Sequence, residues 1–144
     1  MLKVHDIGGR HHVTVNTDAI AMGTSENQAL WSPDRAVVIE SLAFIPRAAL
    51  TGNTTHTKIV AVQNRGSAGI GTTEVAPADT FITGDDLVAF DMRAFPLSAT
   101  AANLIVTADQ VLAMVVTEAG NGIAWPSGKW RIGFRYYEQG AVAS

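Results

Sequence analysis

Three glycines fall within six positions of the stretch NRGSAGIGTT, residues 64–73. Such a density can cradle a phosphate, and that chemistry sets strict terms. A P-loop needs G-x-x-x-x-G-K-[ST] between a strand and a helix. Gly66 and Gly71 have the glycine spacing, but Thr72 and Thr73 follow where Lys and then Ser/Thr are required. A dinucleotide fingerprint needs G-x-G-x-x-G opening a helix. Here the order is G-x-x-G-x-G, and the following TTEVAP reads as strand and loop. With no helix N-terminus there is no dipole to hold an anion. The glycines instead supply positive φ and close backbone approach, as a tight loop between strands demands.

The histidines are His5, His11, His12 and His56. Adjacent His11 and His12 point to opposite faces of a strand and cannot easily share a metal. A metal-binding cupin would want an H-x-H pair with a following Glu, and the chain has no H-x-H. Surface or interface histidines are the simpler reading. The carboxylates Glu74, Asp79, Asp85, Asp86 and Asp91 cluster in mid-chain, yet TGDDLV lacks the spacing of a calcium loop. Asp-Asp after Gly is ordinary turn chemistry. Alternatively, this acidic stretch faces the basic C-terminal strand (Lys129, Arg131, Arg135) across a subunit contact. There is no G-x-S-x-G and no cysteine, so neither that serine nucleophile nor a thiolate is available. Of the three tryptophans, Trp130 belongs to a regular strand face and is expected in the core. Trp125 precedes Pro126 in a loop and is expected to cap either the sandwich or a partner, core or interface packing being favoured over a sugar platform.

These groups must be carried on strands. In GKWRIGFRYY (128–137), Lys129, Arg131, Gly133 and Arg135 alternate with Trp130, Ile132, Phe134 and Tyr136. Period two with aromatics on one side is the pattern of a half-buried strand. HHVTVN (11–16), AVVIESLAFIPR (36–47), THTKIVAVQN (55–64), DLVAFDMR (86–93), NLIVTA (103–108) and QVLAMVVTE (110–118) read as further strands. A helix starting at Ser32-Pro33-Asp34 is conceivable, but the run Val37-Val38-Ile39 favours a strand. Glycine-rich turn signals separate the segments at fairly regular spacing. The expected fold is an all-β, single-domain β-sandwich or jelly roll of about eight antiparallel strands. Residues 1–34 are expected to form an extended N-terminal arm with the first strand, 35–138 the sandwich body, and 139–144 a tail. Deletion of residues 1–16 is then expected to leave the body folded but to weaken its association.

Composition narrows the function. The 144 residues carry a net charge of −3, against a dedicated nucleic-acid binder of the basic type. No stretch approaches the ~18 apolar residues of a membrane span, and no apolar leader is evident near the N-terminus. Synthesis in a cytoplasm is expected. Charged residues make up only 16%, against roughly 25% in ordinary soluble domains. Seven of the ten basic residues are arginine, the type enriched at interfaces. Coverage by other subunits and a GC-rich coding bias explain this composition equally well.

The succession VIESLAFIPRAALTGNTTHTKIVAVQNRGSAGIGTT (38–73), then ADQVLAMVVTEAGNGIAWPSGKWRIGF (108–134), resembles the small jelly-roll head decoration, or capsid cement, proteins of tailed bacteriophages. The shared features are a strand ending in Pro, a T-G-N-T-T turn, the glycine loop, and the G-x-G…P-x-G-x-W finish. The resemblance spans about residues 35–136. It implies a non-enzymatic virion protein with no cofactor, bound outside the capsid to the major capsid protein and self-associating, often as trimers. It implies neither nucleic acid nor membrane as a partner. Subunit or capsid contacts are expected at His5, Arg10, His11, His12, Trp31, Arg65, Trp125 and Arg131. Two alternatives from other classes stand beside it: a tail or fibre module binding receptor sugars, and a cupin-like metalloenzyme.

Overall fold

The computed structural model describes residues 9–137. Nine strands follow one another: β1 His11–Thr17, β2 Glu26–Trp31, β3 Val37–Pro46, β4 Thr57–Asn64, β5 Thr73–Thr80, β6 Arg93–Ala94, β7 Ile105–Val106, β8 Leu112–Ala119 and β9 Gly128–Tyr136. One sheet runs β1-β9-β3-β6, with β7 also pairing β3, and the other runs β2-β8-β4-β5. Setting aside two-residue β7, first pairs last, second pairs second-last, third pairs sixth and fourth pairs fifth. That nesting is what results when one long antiparallel hairpin is rolled onto itself. It is the jelly roll, and the chain is all-β.

Local chemistry explains most boundaries. β3 stops at Pro46, which lacks the N–H a ladder needs. Ser32 caps no helix; its hydroxyl donates to the carbonyls of Ala108 (3.2 Å) and Gln110 (2.7 Å), tying the β2–β3 link to the β7–β8 link. β2 was invisible to alternation because its register against β8 shifts between Ala29 and Trp31. A bulge moves every later side chain to the other face, so period two is lost. Residues 11–31 therefore form no arm over the body; they supply one strand to each sheet. Val13 and Val15 pack on the core, so deleting 1–16 removes six of the seven residues of edge strand β1. Segment 86–93 is not a strand either: its pairing is limited to the Leu50–Leu87 bridge and the first residue of β6.

The core between the sheets centres on five rings. Phe44 of β3 lies 5.0 Å from Trp125 and 5.2 Å from Trp130; Phe81 lies 5.3 Å from Trp125, and Phe95 4.9 Å from Trp130. The indole N–H of Trp130 donates to Met114 Sδ of the opposite sheet at 3.2 Å, which satisfies a polar atom that is otherwise sealed from water. Gly128 opens β9 beside this cluster because a Cβ there would sit 2.6 Å from Phe44 Cζ and 2.4 Å from the Ile45 carbonyl oxygen.

A buried cation holds the β1–β2 connection. Lys58 of β4 is fully buried; its ammonium donates to the carbonyls of Ala21 (3.0 Å) and Thr24 (2.8 Å) and pairs with Glu118 on β8. A desolvated ammonium is tolerable only with such full satisfaction. Lys58→Met leaves Glu118 and two carbonyls without their donor. It should cost about 3–5 kcal/mol, read as a lower midpoint in urea unfolding with an unchanged slope.

Candidate functional site

The glycine stretch turns out to be the β4–β5 hairpin loop, since Asn64 pairs with Thr73 across it. Gly66 and Gly69 have φ of 69° and 80°. Asn64 Oδ1 accepts from the Gly66 N–H (2.9 Å), and the Gly71 N–H donates to the Arg65 carbonyl (2.9 Å). These N–H groups serve the loop itself, and a strand rather than a helix follows. Arg65, expected to reach a neighbour, folds back: its guanidinium donates to Gln63 Oε1 (3.0 Å) and to the Gly69 carbonyl (3.2 Å).

Outside the first sheet, strand alternation builds a cationic face. Lys129, Arg131 and Arg135 of β9 point outward with His12 of β1, which sits opposite Gly133. One carboxylate answers them: Glu40, in the β3 bulge, lies 3.2 Å from Arg135 Nε and 3.8 Å from Arg10 Nε. Arg10, His12, Glu40, Ser41 and Arg131 frame a shallow depression of about 250 Å³ over Gly133. The other sheet's outer face is different in kind: Ile59, Ala61, Ala113 and Val115 lie there, with no cation among them.

His11 turns away from His12. Its ring lies 5.6 Å from Phe134 and 5.2 Å from Tyr136, so the two histidines diverge as strand geometry requires. Nδ1 of His56 accepts the Asn121 N–H at 3.0 Å, locking the β8–β9 turn. Among the described residues no three His, Asp or Glu side chains converge for a metal. Trp31 is half-buried, 4.7 Å from Phe134. Trp125 is only 1% exposed. The loop dives inward there, through paired backbone bonds between Trp125 and Ile20 (2.8 and 2.9 Å). Neither a sugar platform nor a partner contact can be built on it. His5 lies outside the described residues.

The acidic stretch is largely consumed within the chain. Arg93 bridges the open edges of the two sheets, bonding Asp79 Oδ2 (2.6 Å) and Asp85 Oδ1 (2.8 Å) while lying over the Phe81 ring at 5.1 Å. Asp86 accepts the Gly52 N–H at 2.8 Å. Asp91 is exposed and has no side-chain partner among the described residues. Burial, and then a hydrogen bond with Asp85, push the Asp79 carboxyl above its ordinary 3.8. Arg93 opposes that shift and is itself held more firmly protonated, chiefly by its bond to Asp85.

Sequence reasoning missed one surface. Val88, Phe90 and Met92 are 61%, 77% and 50% exposed. Their alternation had suggested a strand with a buried side. The segment instead makes a β-turn at Val88–Asp91, closed by the Asp91 N–H on the Val88 carbonyl at 3.0 Å, so strand alternation does not hold there. Phe90 also has φ of 64°, making it the one non-glycine with positive φ among the described residues.

The chain matches no family profile and no curated protein. Among solved structures it is similar to infectious bursal disease virus, Gx strain, with 14% identity and a TM-score of 0.47. That likeness covers 89% of this chain and 32% of the other. It is also similar to the VP2 subviral particle of the same virus, with 12% identity, a TM-score of 0.41, and coverage of 90% and 33%. The chain thus spans about a third of the length of the chains it resembles.

A carboxyl whose folded pKa is raised binds its proton more tightly in the native state than in the unfolded one. Its contribution to stability is therefore fully present below the unfolded value of 3.8 and lost as pH rises through the folded value. Comparing wild type with Asp79→Asn by thermal melts at several pH values should show wild type gaining on the variant as pH falls toward 3.8. A difference that stays flat there would contradict the assignment.

Proposed function

We propose that this protein is a virion structural component that binds the exterior of a phage capsid and stabilises the lattice of the major capsid protein. The observation that carries the proposal is the division between interior and loops. The space between the sheets is filled by aromatic and branched side chains, while six large apolar side chains, Met22, Ile70, Ile82, Val88, Phe90 and Met92, stand exposed on the connections. Exposed apolar groups on a packed body serve association better than catalysis. The residues that carry the phage resemblance also sit at shaping positions: Pro46 ends β3, the glycine stretch makes the β4–β5 hairpin, and Gly128 starts β9 against Phe44.

Such a protein acts by mass action. It binds the assembled lattice in preference to free capsid subunits, and each filled site adds to the cost of disassembly. No bond is made or broken, and no cofactor enters. The cationic outer face of β1-β9-β3 suits an acidic capsid surface, with Arg131 at its centre and Arg10 and His12 at its margin. The resemblance adds self-association, with trimers as the order it implies. The sugar-binding reading relied on an exposed Trp125 and loses its support with that residue buried.

Heads of the encoding phage assembled without this chain supply the test. Purified protein should bind them to saturation at a fixed ratio to the major capsid protein and raise their melting temperature. Arg131→Glu should weaken that binding and make the residual binding less sensitive to salt. Heads that take up no wild-type protein would refute the proposal.

A further inference from the structure

Phe90 occupies the third position of a β-turn closed by the Asp91 N–H on the Val88 carbonyl at 3.0 Å. With φ of 64° it stands where glycine would be strain-free. For a bulky L-residue this conformation is unfavourable, and it persists because the Phe90 N–H is fixed on the Pro46 carbonyl at 2.8 Å. Burial does not offset the strain, because Phe90 is 77% exposed. A strained, solvent-facing aromatic is a reason to look for a contact outside the folded chain.

Beside the ring lies a groove of about 220 Å³ lined by Asn16, Ile45, Pro46, Arg47, Lys129 and the flank of Phe90 itself. Arg47 and Lys129 are exposed and have no ion pair among the described residues. Asp91, next to the ring, is likewise unpaired among them. One small patch thus presents an aromatic knob, a groove with an apolar floor at Ile45 and Pro46 and two free cations, Arg47 and Lys129, in its walls, and a free carboxylate beside the knob.

From this we infer that the patch binds a second copy of the same chain about a two-fold axis. Each Phe90 enters the other copy's groove, and each Asp91 meets the other copy's Arg47 and Lys129. Knob and groove are neighbours on one surface, which is the condition for an isologous contact. A three-fold ring would need them on different sides of the subunit. Enclosing an aromatic side chain removes about 150–250 Å² from water, so two of them fall well below the roughly 1,200 Å² of a stable interface. The pair is weak in dilute solution, and tethering on a lattice would strengthen it. The inference does not require the virion reading, since it concerns the purified chain alone.

Sedimentation equilibrium of purified protein across the micromolar to millimolar range tests it. Wild type should associate in a step that doubles the mass, and Phe90→Ser should weaken that step at least tenfold. Phe90→Gly should abolish dimerisation without lowering the melting temperature, because glycine relieves the turn; a merely structural Phe90 would show the reverse. Asp91→Lys and Lys129→Asp should each weaken pairing, and the two together should restore much of it. A wild type that stays monomeric throughout, that trimerises with no doubling step, or whose pairing is indifferent to Phe90 overturns the inference.

Discussion

Everything in this molecule hangs on the ring cluster between the sheets. Phe44 and Trp130 come from neighbouring strands, but Phe81, Phe95 and Trp125 come from three separate connections. Five side chains thus draw three loops inward and join the sheets at one end. Burial of rings this large is among the strongest stabilising terms a domain of this size has. It leaves no space for a Cβ at residue 128, and it recruits Met114 from across the sandwich to accept the Trp130 N–H. Because Trp125 is pulled in, Ile20 is bridged to it. Lys58 then finds the Ala21 and Thr24 carbonyls within reach.

The same pull decides what remains outside. Arg93 spans the gap at the open edge and holds Asp79 and Asp85, so the charge of those carboxylates is answered within the chain. The chain is acidic overall, yet the outer face of its first sheet is positive, because β9 places its basic residues on the side away from the rings. The second sheet turns small and branched residues outward instead. Two unlike faces give the body a direction.

Legibility followed the physics of each segment. β9 was plain because aromatic and basic residues alternate without interruption. β3 was plain because its branched run ends in a proline. β2 escaped because a bulge breaks its period. The reading of 86–93 failed for a deeper reason: its apparent alternation is broken by a turn at Val88–Asp91 with Phe90 at positive φ, which the distant Pro46 carbonyl helps to hold. Of the expected contact residues, Arg10, His12 and Arg131 are brought to one face. His11 and Trp31 join the aromatic margin of the core, Arg65 is spent on its own loop, and Trp125 is sealed inside.

The amino-acid sequence by itself determined the all-β class, the main strands of both sheets, and the glycine stretch as a turn rather than a phosphate cradle. Those properties depend on neighbours a few residues apart, through period, turn propensity and missing partner residues. Only the tertiary structure decided which sides face water, which acids are free, and that Phe90 is held outward at positive φ. Each of those depends on a contact between segments far apart in the chain: Pro46 with Phe90, Arg93 with Asp79, Trp125 with Phe44. No local pattern encodes such distances, because they are set by how the two sheets close over one core.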